Sequence, residues 1–169
     1  MENFVPIATG LDTAPALAAL AALDPIYWVG ISGNAAPMVP LLGPDGRRRH
    51  VEALGAVWDR IETVHTQAAC AVGDSGAIYY ARAGVLPPGG RVLPHADGHD
   101  GALRRRYQVI LKSPAEALIT LGGETRSLRA GEAWQIDSGK VHEVVNNGAE
   151  ERIILVFDTG PAAQPSAPA

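Results

Sequence analysis

The chain has 169 residues, of which 47% are hydrophobic and 19% are charged, and this composition excludes an intrinsically disordered chain and indicates one globular domain. The formal net charge of −4 argues against a nucleic-acid partner, because neutralising phosphates requires a basic surface. The single cysteine, Cys70, excludes an internal disulfide and suits a reducing compartment, so we expect a cytoplasmic protein.

The first part of the chain, up to about residue 72, is predicted to be mixed and largely helical. Its N-terminus has no basic region and no long apolar run, so no signal peptide is expected, and no apolar run in the chain reaches the ~18 residues of a membrane span. Residues 14–23 (APALAALAAL) have strong helix propensity, with Asp12 or Thr13 as the cap and Pro25 as the stop.

Residues 37–46 contain several Pro and Gly residues and are predicted to form a loop. The longest predicted helix spans residues 50–71. It has one apolar face, because apolar residues recur at spacings of three and four; these are Leu54, Trp58, Ile61, Val64, Ala68 and Ala71. His65 lies beside this face and is predicted to be a packed core residue, and Cys70 is predicted to be buried on the same helix.

After residue 77 the pattern changes to short apolar or alternating runs between turn residues. Seven strands are predicted, at 77–86, 91–93, 107–111, 117–121, 133–136, 141–145 and 152–157. Gly122-Gly123 predicts a tight hairpin. This spacing favours a β-sandwich or small barrel of residues 77–158, with the N-terminal helices covering one sheet of a single domain, 1–160. Residues 161–169 are of low complexity and are predicted to be disordered.

Three potential metal ligands lie in the β region: His95 and Asp97 in the segment PHAD, and His142 in GKVH. His95 and Asp97 are two residues apart, so on an extended strand their side chains point to the same face. Two histidines and one carboxylate on one face of an octahedral ion leave three positions open, which is the arrangement of non-haem Fe(II) oxygenases. By itself, an HxD segment is equally typical of a loop turn.

Three observations favour the metal site over the loop turn. A glycine-marked turn precedes each ligand segment, PGG before His95 and DSG before His142. The β-sandwich is predicted independently of the ligands. Arg152 opens the apolar run RIILVF, where an arginine is costly unless it has an anionic partner, and its fork of donors would suit a dicarboxylate co-substrate.

From about residue 77 to 158 the chain resembles the aspartyl/asparaginyl β-hydroxylase family of Fe(II)- and 2-oxoglutarate-dependent dioxygenases. The segments that carry the resemblance are LPPGGRVLPHAD, RRYQVIL and LRAGEAWQIDSGKVHEVVNNGAEERIILVFD. They cover about half of the chain, and the N-terminal third matches only loosely. The resemblance implies that the sandwich is a double-stranded β-helix, the jelly-roll or cupin-like fold.

The resemblance also implies roles for individual residues. His95 and His142 match the two iron-binding histidines, and Asp97 matches a carboxylate ligand that some members replace by glycine. Arg152 matches the arginine that pairs with the far carboxylate of 2-oxoglutarate, and Arg106 matches a second arginine near this co-substrate.

Two positions depart from the family pattern. Gln108 stands where members often have a histidine beside the co-substrate, although it can still donate a hydrogen bond, and Gly84 stands where some have a serine. Three neighbours of the ligands also have predicted roles: His99 is a polar loop residue at the mouth of the site, Asp137 holds the loop before His142, and Asn146 orients His142.

The implied reaction uses Fe(II), 2-oxoglutarate and dioxygen to hydroxylate a C–H bond of an amino acid or a peptide side chain, with release of succinate and carbon dioxide. The small size of the chain favours a free amino acid or short peptide as substrate. Two alternatives remain open. One is another cupin-type metalloenzyme, because residues 131–146 nearly reproduce the second cupin motif, although the first cupin motif is absent. The other is a non-catalytic β-sandwich module that binds a small molecule.

Overall fold

A computed structural model describes residues 2–31, 34–43, 45–97 and 104–160. The predictions for His99 and for the tail 161–169 lie outside these residues. Within them, no helix is both long and apolar enough to cross a membrane.

The described residues form two α-helices and eleven β-strands. In chain order they are β1 (Phe4–Ala8), α1 (Ala14–Ala21), β2 (Val29–Ile31), β3 (Asn34–Pro40), α2 (Gly55–Val72), β4 (Ala77–Leu86), β5 (Arg91–His95), β6 (Arg105–Lys112), β7 (Ala117–Leu121), β8 (Glu124–Arg126), β9 (Ala133–Ile136), β10 (His142–Asn146) and β11 (Arg152–Gly160). A 3₁₀ turn, Pro25–Tyr27, follows α1. All strand pairs are antiparallel, in a seven-stranded sheet of order β1-β9-β6-β11-β4-β3-β2 and a four-stranded sheet of order β5-β10-β7-β8.

The helices cover one face of the larger sheet, as predicted. Five residues of the predicted apolar face of α2 are buried there: Leu54, Trp58, Ile61, Val64 and Ala68. They share a core with the stacked rings of Tyr107 and Phe157, whose centroids are 4.9 Å apart. His65 is partly buried beside this core, with Nε2 2.9 Å from the Gly76 carbonyl oxygen.

Details of both helices differ from prediction. Helix α2 begins at Gly55 rather than at residue 50, because His50 has a positive φ of 54° that is incompatible with a right-handed helix. Cys70 is exposed, not buried, because it lies two residues and hence about 200° around the helix from buried Ala68. Helix α1 ends at Ala21, two residues early, and Asp12 Oδ1 accepts the Ala14 N–H at 3.1 Å.

A second core fills the space between the two sheets. It contains apolar side chains from both sheets, which are Phe4, Leu86, Ile110, Ile119, Leu121, Ile136 and Val144, and Leu128 from the loop between β8 and β9. All seven predicted strands are present. Gly122 and Gly123 both have positive φ, 56° and 85°, and form the predicted tight turn between β7 and β8.

The N-terminal part contributes more than helices, which corrects the prediction for residues 1–72. It supplies β1, β2 and β3 to the larger sheet, and β3 occupies the first part of the predicted loop 37–46. Pro37 and Pro40 predicted a loop, but both lie on β3: Pro37 precedes the residues that pair with β4, and Pro40 is the last residue of the strand. Two facing sheets with helices outside the larger one form a double-stranded β-helix, as predicted.

Candidate metal centre

Neighbouring strands bring the two histidines together. His95 is the last residue of β5 and His142 is the first residue of β10, and the two are directly paired across these strands. Their ring centroids are 4.2 Å apart. Asp97 follows just beyond the end of β5, and its N–H donates to the Ser138 carbonyl at 2.9 Å, which fastens it to the loop before β10.

Backbone carbonyls set the orientation of both imidazole rings. His95 Nδ1 lies 2.8 Å from the Leu93 oxygen, and His142 Nδ1 lies 3.0 Å from the Lys140 oxygen. A carbonyl accepts only, so each Nδ1 carries the proton and each Nε2 is left with its lone pair for a metal. Burial lowers the pKa of His142, which favours the neutral ring that ligation requires.

The three side chains converge on one point. His95 Nε2 is 3.8 Å from Asp97 Oδ1, and His142 Nε2 is 3.8 Å from Asp97 Oδ2. One ligand atom from each residue lies within 4.8 Å of the others, so a single ion is within reach of all three after small side-chain rotations. The predicted ligand set is therefore brought together by the fold.

Arg106 on β6 joins the carboxylate ligand to a buried acid. Its Nη1 donates to Asp97 Oδ2, and its Nε and Nη2 donate to Asp158 Oδ1 and Oδ2 at 2.7 and 2.9 Å. Burial opposes the charge on Arg106, but the two carboxylates outweigh this effect and raise its pKa. All three of these hydrogen bonds go to carboxylates; the predicted contact of Arg106 with a co-substrate would use its remaining N–H groups.

A cavity of about 260 Å³ adjoins the ligands. His95, Asp97 and Arg106 line it together with Tyr80, Arg82 and Gly84 from one face of β4 and Arg152 from β11. The alternation of AIYYARAGVL puts Tyr80, Arg82 and Gly84 on a single face, and this alternation is the sequence signal that links Tyr80 and Arg82 to the cavity.

Arg152 is a buried cation in the wall of this cavity. Its side chain is 4% exposed, and its Nη2 donates to Gln108 Oε1 at 3.0 Å. Within the described part of the chain, no carboxylate lies at ion-pairing distance from it, and burial lowers its pKa to about 10. Gln108 is itself buried and is not among the described residues that line the cavity.

The predicted role of Asn146 is wrong, whereas the predicted role of Asp137 agrees with its contacts. Asn146 Nδ2 donates to the carbonyl oxygens of Leu86, Pro87 and Glu150, so it ties together turns at the far end of β10 instead of orienting His142. Asp137 accepts the Lys140 N–H through its carbonyl at 3.0 Å and pairs with Lys140 Nζ at 3.3 Å, within the loop before His142.

The fold is a cupin-like jelly roll, and the two histidines and the carboxylate that converge beside its cavity form a candidate metal centre. The family can be named as well. A family model described as aspartyl/asparaginyl β-hydroxylase matches residues 57–161, which is more than half of the chain. The chain belongs to this family, and the membership supports an oxidoreductase of the oxygenase type. A search of curated proteins finds no match.

Several solved structures share the fold. The non-haem α-ketoglutarate-dependent epimerase SnoN from nogalamycin biosynthesis has a TM-score of 0.71 at 17% identity, over 99% of this chain and 83% of that one. A Pseudomonas putida prolyl-4-hydroxylase has a TM-score of 0.69 at 14% identity, over 96% and 95%. A 2OG-Fe(II) oxygenase-family oxidoreductase from Burkholderia pseudomallei has a TM-score of 0.71 at 13% identity, over 96% and 89%. At these identities the likeness shows the fold.

Proposed function

We propose that this protein is an Fe(II)- and 2-oxoglutarate-dependent dioxygenase that hydroxylates a C–H bond of an amino acid or a peptide side chain. The observation that carries the proposal is the convergence of His95, Asp97 and His142 beside a cavity that also contains Arg152, a buried cation with no carboxylate partner among the described residues. The same cavity thus offers a metal site and an anion site.

The donor set fits Fe(II). Two imidazole nitrogens with free lone pairs and one carboxylate oxygen are the ligands of the facial triad, and they leave positions open on the ion. When bound, the iron and 2-oxoglutarate supply the oxidising chemistry. The chain's own residues hold these groups in place and surround the reaction with a partly enclosed cavity.

Arg152 fits the far carboxylate of 2-oxoglutarate. Gln108 engages Nη2 and so orients the guanidinium plane, while the other N–H groups stay available for a bidentate contact. A carboxylate placed there would supply the counter-charge that the protein itself omits, which explains why a costly buried arginine is present.

Arg82 is the remaining cation of the cavity. Arg106 is paired with Asp97 and Asp158, and Arg152 is assigned to the co-substrate, whereas Arg82 has no ion pair among the described residues. We therefore propose that Arg82 binds a carboxylate of the prime substrate, either of a free amino acid or of a short peptide.

The test is succinate formation from 2-oxoglutarate in the presence of Fe(II) and paired substrates. Each pair differs in one carboxylate only: aspartate with asparagine for the side chain, and an amino acid or short peptide with its C-terminal amide for the α-carboxylate. The variant His142→Ala is the control without a metal centre. We expect the carboxylate-bearing member of at least one kind of pair to stimulate succinate formation well above its amide partner. Equal stimulation by both members of every pair would contradict the role of Arg82, and no stimulation by any member would contradict the substrate class.

A further inference from the structure

Asp158 is a buried acid that touches none of the groups expected to react. It lies on β11 with no exposed surface, directly opposite Arg106 on β6. It accepts two hydrogen bonds from Arg106, one from Nε at 2.7 Å and one from Nη2 at 2.9 Å, and it also contacts Arg104. Two parallel bonds of this kind fix the plane of a guanidinium group as well as its position.

The orientation of Arg106 determines the position of the Asp97 carboxylate. The nitrogen of Arg106 that does not bind Asp158, Nη1, donates to Asp97 Oδ2. Asp97 Oδ2 also lies 3.8 Å from His142 Nε2, and Asp97 Oδ1 lies 3.8 Å from His95 Nε2, so the contact with Arg106 sets how the carboxylate faces both histidines. Arg106 is only 8% exposed and its guanidinium lies over the Tyr80 ring at 5.7 Å, so it has few alternative positions while Asp158 holds it.

Asp97 needs such support because it lies outside the sheet. The strand β5 ends at His95, and one described backbone hydrogen bond, to Ser138, ties Asp97 to the loop before β10. The two histidines, by contrast, lie within paired strands and have carbonyl partners on their Nδ1 atoms. Asp97 is thus the ligand whose geometry depends most on a side-chain contact.

We propose that Asp158, acting through Arg106, is a positioning residue that holds Asp97 in its metal-binding orientation and so sets the affinity of the centre for a divalent ion. The inference rests on the metal centre of the proposed function. It predicts a property of the chain before any co-substrate binds, so it is tested without turnover.

A double-mutant cycle separates this role from a purely structural one, since residues that act through each other are not additive. Co(II) is the probe, and its dissociation constant is measured from its visible absorption on the full-length protein. The four proteins are wild type, Asp158→Asn, Asp97→Asn and the double variant. Asp74→Asn is the matched control, because Asp74 is another buried acid that contacts β6 and β11, through Tyr107 and Thr159, and is not a cavity residue.

We expect Asp158→Asn to weaken Co(II) binding by about 10- to 100-fold, the usual effect of losing the residue behind a metal ligand. The Asp97→Asn background keeps both histidines and an amide oxygen in place of the carboxylate, so its weaker Co(II) binding is measured at higher metal concentrations. There Asp158→Asn should alter the affinity by less than about twofold, because Asp158 acts through the Asp97 carboxylate that is now absent. The Asp74→Asn control should bind Co(II) as wild type does.

Wild-type affinity in a folded Asp158→Asn variant, or an equal loss in both backgrounds, would overturn the proposal. Thermal unfolding of the metal-free proteins shows whether each variant is folded. If Asp158→Asn does not fold, Arg106→Lys replaces it. An ammonium lacks the planar fork that makes two parallel bonds to Asp158 while a third nitrogen contacts Asp97, so this variant should weaken Co(II) binding to the same extent. Wild-type affinity there would also refute the inference. Failure of wild type to bind Co(II) would instead refute the metal centre itself.

Discussion

The substitution Arg152→Met tests two effects of the buried charge of Arg152: its contribution to co-substrate binding and its cost to the stability of the fold. Burial lowers the pKa of Arg152 from an ordinary value of about 12.5 to about 10, and a difference of this size corresponds to about 3 kcal/mol against folding with the charge in place. Methionine removes that cost but leaves Gln108 Oε1 without its donor, which costs about 1–3 kcal/mol.

The net effect on the metal-free protein should lie between no change and a gain of about 2 kcal/mol. For a chain of this size, 1 kcal/mol shifts the melting temperature by about 2–4 °C, so calorimetry should give a Tm that is unchanged or raised by up to about 8 °C. The double variant Arg152→Met/Gln108→Met, which leaves neither polar group unpaired, should be more stable still.

Binding of 2-oxoglutarate should change in the opposite direction. Losing one partner of a buried ion pair costs about 2–5 kcal/mol, so the Kd for 2-oxoglutarate on the Mn(II)-loaded protein should rise by about 30-fold or more. The control is Arg105→Met. Arg105 is not among the described cavity residues and donates a hydrogen bond to the Val72 carbonyl at 2.8 Å, so its loss should lower Tm and leave the Kd for 2-oxoglutarate unchanged. A lowered Tm with an unchanged Kd in Arg152→Met would show that Arg152 is structural.

Three further predictions concern single side chains. His142→Ala should abolish Fe(II) binding in calorimetric titrations, because two remaining ligands hold the ion poorly. The control is His65→Ala, which changes a histidine packed near Phe157 and should bind Fe(II) normally. Normal Fe(II) binding by His142→Ala would show that His142 is not a ligand. Asp74 accepts hydrogen bonds from Tyr107, Thr159 and the Gly76 N–H. Burial alone would raise the pKa of Asp74, but these bonds lower it. The contribution of Asp74 to stability is therefore present above about pH 4 and is lost as the pH falls through the lower pKa of the folded state. Asp74→Asn should therefore reduce the free energy of unfolding by about 1–3 kcal/mol at pH 7 and flatten its decline in acid, and an unchanged acid profile would contradict this. Arg82→Gln should raise the KM for a carboxylate substrate in the succinate assay without changing the Kd for 2-oxoglutarate, and a change confined to that Kd would reassign Arg82 to the co-substrate.

The β region could be predicted from sequence because its signals are local. Alternating apolar residues define β4 and β7, and paired glycines define the turn after Leu121. The two histidines could also be predicted from sequence, because a glycine-marked turn precedes each of them and each lies at the end of a strand. The strand β3 was missed for a local reason too: Pro37 and Pro40 predicted a loop, although both lie on the strand.

The contacts that hold the Asp97 carboxylate in place could not be predicted from sequence. Asp158 and Arg106 are 52 positions apart, and only the register between β11 and β6 sets them opposite each other. Asn146 shows the converse error. It shares a strand face with His142, but four residues along a strand is about 13 Å, too far for a hydrogen bond between the two side chains.

The central claim is that one cavity binds Fe(II) and 2-oxoglutarate together. Anaerobic titration of the Fe(II)-loaded protein with 2-oxoglutarate tests it most directly, by the weak visible charge-transfer band of an iron-bound 2-oxo acid. We expect the band to appear in wild type and to require a much higher 2-oxoglutarate concentration in Arg152→Met. Bound iron without a band would contradict the co-substrate and favour another cupin-type metalloenzyme, and a wild-type protein that binds no iron would contradict the metal centre and favour a non-catalytic binding module.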